Sequence, residues 1–290
     1  MKIKKAIIPV AGFGTRFLPI TKALPKAILP LIDKPVIHYL VEEAVASGIE
    51  EIIIVTGQDK KVIEDYFNCS KELEKQLEKT DKHDLLEMIK NISEMAKISY
   101  VTQERPQGLG HAIYCARHSI GKETFAVLLG DDIVNTAKTP CLAQLINVSH
   151  KYSTNVVGVQ RVPQDQVSYY GIVTGTALTN KLVKVKDMVE KPDIKEVSSN
   201  LAMMGRYIIH SDLFDILERI TPGKGGEIQL TDALKELNRT QEIYACVIEG
   251  TRYDVGDKLG YLKATTELAL KKTGLGVDYK NYLLKLLKDG

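Results

Sequence analysis

Short apolar runs alternate repeatedly with amphipathic helical segments along the first half of the chain, and this pattern limits the possible folds. Five early runs are rich in β-branched residues and bounded by glycine or polar residues, as buried strands are. They read KKAIIPVAG, EEIIIVTG, KISYVTQ, FAVLLGDDIV and NVVGVQRV. Helical segments lie between them, and one begins near Pro35 and ends near Gly48. This alternation predicts βαβ units, and therefore an α/β fold whose mainly parallel sheet is flanked by helices.

The pattern changes from about Asn155 onward. Three further segments are predicted to be strands with few helices between them, which favours an added layer with antiparallel pairing; they read YYGIVTG, KLVKVKDMVEKP and LAMMGRYIIH. Residues 70–93 have helical spacing and dense mixed charge, so we expect an inserted helical hairpin there. We therefore expect one main domain over residues 1–256 and a C-terminal helical extension over residues 257–290.

Charge and cysteine content exclude several classes of protein. The chain has 39 Lys and Arg residues against 37 Asp and Glu residues, so it offers no global field for nucleic acid or an anionic membrane. No run approaches the length that a membrane helix needs. The cysteines (Cys69, Cys115, Cys141 and Cys246) are far apart, which argues against a zinc site and a disulfide framework and predicts reduced core thiols. We expect a cytoplasmic enzyme.

A glycine-rich loop follows the first predicted strand. Gly12 and Gly14 allow backbone N–H groups to approach a phosphate closely. The following residues match neither the dinucleotide-binding fingerprint nor the P-loop. Instead, Arg16 and Lys26 bracket a segment that two prolines stiffen, so the loop holds positive charge on a restrained backbone. This pattern predicts an anion site.

Adjacent carboxylates follow the fourth predicted strand, where open α/β sheets bind ligands. They are Asp131 and Asp132, and Asp254 follows a later strand and could complete the same site. Hard oxygen ligands without a nearby thiolate suit Mg²⁺, which commonly takes one or two carboxylates and fills its remaining positions with water and phosphate. The sequence predicts a magnesium site.

The order and spacing of seven segments together carry a specific resemblance. The chain resembles bacterial UTP:glucose-1-phosphate uridylyltransferases, which belong to the sugar-nucleotide pyrophosphorylase superfamily. The segments are PVAGFGTRFLPITKALPKAILPLIDKPVIHYLVEEAVASGIEEIIIV, QERPQGLGHAI, LLGDDIV, DMVEKP, NLAMMGRYII, GEIQLTDAL and TRYDVGDKLGY. The resemblance implies a Rossmann-like nucleotidyltransferase fold with a small antiparallel sugar-binding layer.

The resemblance also implies a reaction and its residues. UTP and α-D-glucose 1-phosphate would give UDP-glucose and pyrophosphate with the help of Mg²⁺. The implied positions are uracil contacts at Gln103, Gly108 and the backbone of Ala11 and Gly12; further nucleotide contacts at Gly14, Thr15 and Asp132; catalytic cations at Arg16, Lys26 and Lys191; metal ligands at Asp131 and Asp254; and sugar-phosphate contacts at Gly171, Glu190 and Lys191. Ala27-Ile28 and Asp132 depart mildly from the family pattern, which leaves open how Asp131 and Asp132 divide metal binding.

The reaction itself fits the absence of a hydrolase-like triad from the sequence. Two polyanions must meet for in-line attack on the α-phosphorus, and this needs positioning and charge neutralisation but no covalent protein nucleophile. His38 and His111 are accordingly interpreted as helix-surface or packing residues. The amide of Gln103 could accept from the uracil N3–H and donate to a neighbouring carbonyl, a pattern that cytosine does not offer.

Three alternatives stay open at this point. A dTTP-dependent thymidylyltransferase shares the glycine-rich loop and the sheet. A non-catalytic nucleotide-sugar sensor could dispense with Lys26 or Asp131, and both are present. A glycosyltransferase would place its metal on a D-x-D motif, which does not follow the fourth strand. The resemblance further implies a homodimer or homotetramer, with the C-terminal helices as an interface, and the strictness for glucose over galactose 1-phosphate stays open.

Overall fold

The computed structural model describes residues 2–57 and 61–289. Its strands are β1 (Lys5–Pro9), β2 (Pro30–Leu31), β3 (Lys34–Pro35), β4 (Glu51–Thr56), β5 (Lys97–Thr102), β6 (Phe125–Leu128), β7 (Asp132–Asn135), β8 (Asn155–Arg161), β9 (Gly171–Thr179), β10 (Leu182–Glu190), β11 (Leu201–Ile209), β12 (Ile243–Val247) and β13 (Thr251–Asp254). Its α-helices are α1 (Val36–Ala46), α2 (Lys61–Phe67), α3 (Lys71–Lys79), α4 (His83–Glu94), α5 (Leu109–Cys115), α6 (Arg117–Ile120), α7 (Cys141–Tyr152), α8 (Leu213–Arg219), α9 (Leu230–Leu237), α10 (Lys258–Lys271) and α11 (Gly276–Asp289). Short 3-10 helices span Thr15–Phe17, Ile20–Lys22, Lys26–Ile28, Gln164–Tyr169 and Lys224–Gly226.

One mixed sheet organises the chain. Its strand order is β5-β4-β1-β6-β11-β8-β12-β10-β9. The first four strands pair in parallel, as the early alternation predicts. β11 then runs antiparallel to both of its neighbours, and β10 pairs antiparallel with β9 and β12. The α/β class with a mixed, flanked sheet is confirmed. Of the three predicted antiparallel strands, β9 and β10 lie at one end of this sheet and β11 lies at its centre between β6 and β8, so they do not form an added layer.

The core lies on both faces of this sheet. Neighbouring strand residues point to opposite faces, so Ile8 and Ile54 pack towards α1 and α7, whereas Ile7 and Ile53 pack towards α5, α8 and α9. Phe125 on β6 stacks against Phe214 on α8, with ring centroids 5.1 Å apart. Double-sided burial explains why the first strands are continuous apolar runs without alternation.

The segment FAVLLGDDIV forms two strands instead of one. β6 ends at Leu128, and β7 pairs with β13 in a separate two-stranded sheet. Between them the chain crosses the end of β1, where a Cβ on Gly130 would lie 2.8 Å from the carbonyl oxygen of Pro9. The chain therefore changes direction after β6, so Asp131 and Asp132 do not continue that strand. The apolar pattern of the sequence does not predict this bend.

Helices occupy the two segments that were predicted to be helical, residues 70–93 and the C-terminus. α3 and α4 form a hairpin, and the exposed character of α4 explains its dense charge. The side chain of Asp257 caps α10 by accepting hydrogen bonds from the backbone nitrogens of Leu259 and Gly260. α10 and α11 pack on each other, and Gly290 lies outside the described residues. The boundary between a main domain and an extension at residue 256 stays a prediction.

The cysteines lie in three different environments. Cys141 and Cys246 are buried, as predicted, and Cys115 is half-buried. Cys69 is exposed because it lies in the turn between α2 and α3, and all four thiols are free. Across the described ranges, no helix is both long and apolar enough to cross a lipid bilayer.

Candidate active site

The glycine-rich loop after β1 folds back onto the 3-10 helices that follow it. Gly14 has φ 62°, a left-handed conformation in which a side chain is strained, and a Cβ there would lie 3.0 Å from Thr21 and 3.2 Å from Lys26. The hydroxyl of Thr21 donates a hydrogen bond to the carbonyl of Gly14 at 2.8 Å. The loop is thereby packed directly against Lys26.

Lys26 and Asp131 form the polar centre of this region. The Nζ of Lys26 donates to Oδ2 of Asp131 at 2.6 Å, and both residues are half-buried. Burial by itself would raise the pKa of Asp131, but the charge of Lys26 and its hydrogen bond outweigh it and hold that pKa below the ordinary value of 3.8. Asp131 is therefore ionised at neutral pH.

A second carboxylate, that of Asp254, lies on the same side of Gly256 as Asp131. A Cβ on Gly256 would be 2.9 Å from Oδ2 of Asp131 and 3.0 Å from Oδ1 of Asp254, so the two carboxylates face the same small space. Among the described residues, no group of three or more metal-binding side chains occurs. Two carboxylates fit Mg²⁺, which commonly takes one or two carboxylates, completes its coordination with water and phosphate, and seldom occupies an all-protein cage.

Asp132 points into the protein. It is 5% exposed and forms an ion pair with Arg252, which also lies 3.6 Å from Asp254. The backbone carbonyl of Asp132 accepts a hydrogen bond from the fully buried Arg206, whose guanidinium also binds both carboxylate oxygens of Glu43. The structure thus does not bring the Asp132 carboxylate to the nucleotide cavity where a contact was predicted.

Most of the predicted nucleotide-binding residues line one cavity of about 410 Å³. These residues are Ala11, Gly12, Gly14, Thr15, Gln103 and Gly108. Lys26 and Asp131, predicted as a catalytic cation and a metal ligand, line the same cavity. A neighbouring cavity of about 270 Å³ shares Ala11, Gly12 and Gln103 and extends beneath residues 21–25. Arg16 is exposed on the adjacent 3-10 helix and does not line either cavity. One cavity therefore brings together eight of the predicted site residues, and Arg16 lies outside both cavities.

Gln103 lies at the end of β5 and is 6% exposed. Its Nε2 is 3.1 Å from the carbonyl oxygen of Gly108 and 2.9 Å from Nδ1 of His111. Both amide hydrogens thus have partners inside the protein. This differs from the expectation that the same amide also donates to a base carbonyl, and it leaves the amide oxygen as the group for a ligand.

Gly108 is required for a reason other than access to the base. It has φ 100°, and a Cβ there would lie 2.7 Å from Cβ of Glu227 and 2.8 Å from the carbonyl oxygen of Ile228. The backbone nitrogen of Ile228 donates to Gln107, and that of Gly110 donates to Ile228, each at 2.8 Å. The missing side chain therefore allows the segment before α9 to pack onto the start of α5.

The predicted sugar-phosphate residues meet at the end of β10. Glu190 closes the strand, and Lys191 has φ 45°, so the strand ends there and the two side chains need not alternate. Lys191 Nζ lies 3.6 Å from Glu190 Oε1, while Thr231 donates to Glu190 Oε2 at 2.6 Å. A Cβ on Gly171 would lie 3.0 Å from the same Oε2. Gly171, Glu190, Lys191 and Thr231 thus form one cluster.

Arg252 connects this cluster with the carboxylates. Its guanidinium lies over the ring of Tyr170, 5.1 Å from the ring centroid, while it pairs with Asp132. The backbone carbonyl of Tyr170 accepts from the nitrogen of Lys191 at 3.0 Å. The two ends of the site are therefore joined by direct contacts.

Sequence reasoning missed three polar residues of the site. Arg252 lies in the motif TRYDVGDKLGY, two residues before Asp254, and Thr231 lies in the motif GEIQLTDAL. His111 was interpreted as a helix-surface or packing residue. Their partners are Asp132, Glu190 and Gln103, which are 120, 41 and 8 residues away. The tertiary fold brings the first two pairs into contact, whereas contact in the third pair depends on the loop between β5 and α5.

Comparison with known proteins gives consistent results. Residues 5–271 match the family model described as nucleotidyl transferase. A UTP–glucose-1-phosphate uridylyltransferase of Staphylococcus saprophyticus is 55% identical over 271 residues, which cover 93% of this chain and 94% of the relative.

Solved structures of similar proteins agree. A UTP-bound UGPase from Acinetobacter baumannii has a TM-score of 0.92 and 41% identity, and the match covers 98% of this chain and all of that one. A UDP-glucose pyrophosphorylase complexed with UDP-glucose has a TM-score of 0.87 and 44% identity over 93% of this chain and all of that one. A glucose-1-phosphate thymidylyltransferase from Bacillus anthracis is similar in fold, at 22% identity and a TM-score of 0.71.

Proposed function

This chain belongs to the nucleotidyl transferase family, and within it to the UTP–glucose-1-phosphate uridylyltransferases, and from that premise we infer that it transfers the uridylyl group of UTP to α-D-glucose 1-phosphate. UDP-glucose and pyrophosphate are the products. The observation that carries this function in the geometry is the 2.6 Å contact of Lys26 with Asp131 in the cavity that Gln103 also lines. In one cavity, a cation can neutralise phosphate charge and a carboxylate can hold a metal ion, and transfer between two polyanions requires such charge neutralisation.

The reaction is an in-line displacement. A phosphate oxygen of glucose 1-phosphate attacks the α-phosphorus of UTP, a new P–O bond forms, and the bond to the bridging oxygen of the β-phosphate breaks as pyrophosphate leaves. A phosphate monoester has a second pKa of about 6, so the attacking group is already a dianion at neutral pH. This supports a mechanism in which the protein supplies positioning and charge, with no general base.

Residue roles follow from position. Lys26 would neutralise charge on the triphosphate, with Arg16 adding charge from the adjacent 3-10 helix. Glu190, held by Thr231, would accept hydrogen bonds from sugar hydroxyls, and Lys191 would bind the sugar phosphate. Positive charge would thus lie on both sides of the reacting phosphorus.

Asp131 and Asp254 would hold one Mg²⁺, which when bound neutralises phosphate charge. The support is the placement of both carboxylates on one side of Gly256 and the ionised state of Asp131. Asp132 would act through its ion pair with Arg252 and not as a ligand. Asp131→Asn keeps the shape of the side chain and removes its charge, so activity should collapse and more Mg²⁺ should be needed for half-maximal rate.

The proposal also includes an oligomeric state, a homodimer or homotetramer, and a compartment, the cytoplasm. The C-terminal helices expose a series of apolar side chains, which supports a homodimer or homotetramer; they include Leu259, Leu262, Val277, Tyr282 and Leu287. Light scattering should give a multiple of the 32.3 kDa chain mass. The four free thiols support work in the reducing cytoplasm.

The deciding assay is pyrophosphate release from UTP or dTTP with glucose 1-phosphate, with and without Mg²⁺. Release should be fast with UTP, slower with dTTP and abolished when EDTA removes the metal. A rate with dTTP equal to that with UTP would favour the thymidylyl reaction. The same assay with galactose 1-phosphate defines the sugar specificity.

A further inference from the structure

The amide of Gln103 is oriented by two acceptors of the protein itself. An amide nitrogen carries two hydrogens and its oxygen carries none. The nitrogen of Gln103 faces the carbonyl oxygen of Gly108 at 3.1 Å and Nδ1 of His111 at 2.9 Å. In the reversed orientation the amide oxygen would face that carbonyl oxygen instead, and two acceptors would be left opposed.

His111 can accept only when its Nδ1 carries no proton. Burial lowers the pKa of His111 below 6.5, and the nearby charge of Arg117 lowers it further, so the ring is neutral at pH 7. The thiol of Cys115 lies 3.9 and 4.0 Å from the two ring nitrogens, too far and too weakly polar to compete with the amide. The ring is held at the first turn of α5, whose start is fixed by the packing of Gly108 and Gly110 on Ile228.

We propose that His111 is a positioning residue that fixes the amide of Gln103 with its oxygen towards the base, and that it thereby sets the preference for uracil over cytosine. This inference rests on the proposed function, because it assumes that the base of UTP meets Gln103. Uracil presents an N3–H donor, which an amide oxygen can accept. Cytosine presents an unprotonated N3, which would need the amide hydrogens that Gly108 and His111 already bind.

Thymine separates this effect from other sources of nucleotide preference. Its hydrogen-bonding edge is that of uracil, so His111 has no influence on the choice between UTP and dTTP. A change confined to the UTP over CTP ratio is therefore the signature of a role through the amide. A residue that merely supported α5 would change the use of all three nucleotides alike.

The test compares kcat/KM for UTP, CTP and dTTP in His111→Leu and His111→Asn. Leucine removes the acceptor and keeps apolar bulk, so the UTP over CTP ratio should fall about five- to tenfold, as for one lost neutral hydrogen bond. Asparagine can return an acceptor near the position of Nδ1, and its ratio should stay within about twofold of wild type. The UTP over dTTP ratio should hold in both variants.

A second measurement uses the Gln103→Ala background. There the addition of His111→Leu should leave the UTP over CTP ratio unchanged, because the amide through which His111 acts is gone. An unchanged ratio in His111→Leu alone, or the same fall with and without Gln103, overturns the proposal. Failure of the wild-type enzyme to release pyrophosphate from UTP and glucose 1-phosphate would instead overturn the proposed function.

Discussion

Replacement of Lys26 by alanine tests the centre of the site. The ammonium lies 2.6 Å from Asp131, and the side chain of Lys26 is only 20% exposed, so water and salt screen it weakly. Charge stabilisation of this kind contributes about 2–4 kcal/mol in a transition state, which corresponds to a fall in kcat of roughly 30- to 1,000-fold. We expect a loss in this range, because the variant also leaves the Asp131 carboxylate without its partner.

The assay is steady-state pyrophosphate release at saturating UTP and glucose 1-phosphate. Lys122→Ala is the control, because it removes an exposed cation that lines neither nucleotide cavity, and it should retain most of its activity. Thermal denaturation should give a similar Tm for both variants, so that the rate effect is separated from unfolding. A folded Lys26→Ala enzyme with kcat within about threefold of wild type would refute the role of Lys26.

Three further substitutions test other parts of the structure. Lys191→Ala should raise KM for glucose 1-phosphate far more than KM for UTP, and equal increases would remove Lys191 from the sugar subsite. Gly108→Ala should lower both Tm and kcat/KM for UTP, because its Cβ would meet backbone at 2.8 Å. Gly121→Ala, also at positive φ but with nothing within 4 Å, should cost only the backbone strain of about 1–3 kcal/mol and leave kcat/KM for UTP unchanged. An equal fall of kcat/KM in both variants would contradict the packing argument. Glu43→Ala leaves the Arg206 guanidinium buried and without its carboxylate partner, so the free energy of unfolding should fall by about 3–5 kcal/mol. Urea denaturation measures this change, and a fall below about 1 kcal/mol would count against a stabilising role of that ion pair.

Much of the fold could be predicted from local patterns. The early strands are buried on both faces, so their apolar runs are unbroken and easily recognised. α3 and α4 carry helical spacing, and α10 begins at Asp257, a good capping residue. The break between β6 and β7 was missed because it depends on contact with the end of β1, which no local pattern records.

Some features of the candidate site could likewise be predicted from the sequence, and others could not. Its glycine-rich loop, its cations and its paired carboxylates are visible in the sequence, because phosphate and metal chemistry require those residue types at strand ends. The sequence does not predict the different roles of the neighbouring carboxylates Asp131 and Asp132. Their roles differ because the turn after β6 directs one towards Lys26 and the other towards Arg252.

Residue type and short-range spacing were therefore enough to predict the class of fold, most of its elements and the chemical character of the site. Which groups contact each other depends instead on the tertiary structure. Thr231 binds Glu190 and Arg252 binds Asp132 across long stretches of chain, and His111 orients Gln103 through a loop whose path is set by Ile228. Hydrogen bonds and ion pairs act over a few ångströms, and such distances are fixed by packing and not by position along the chain.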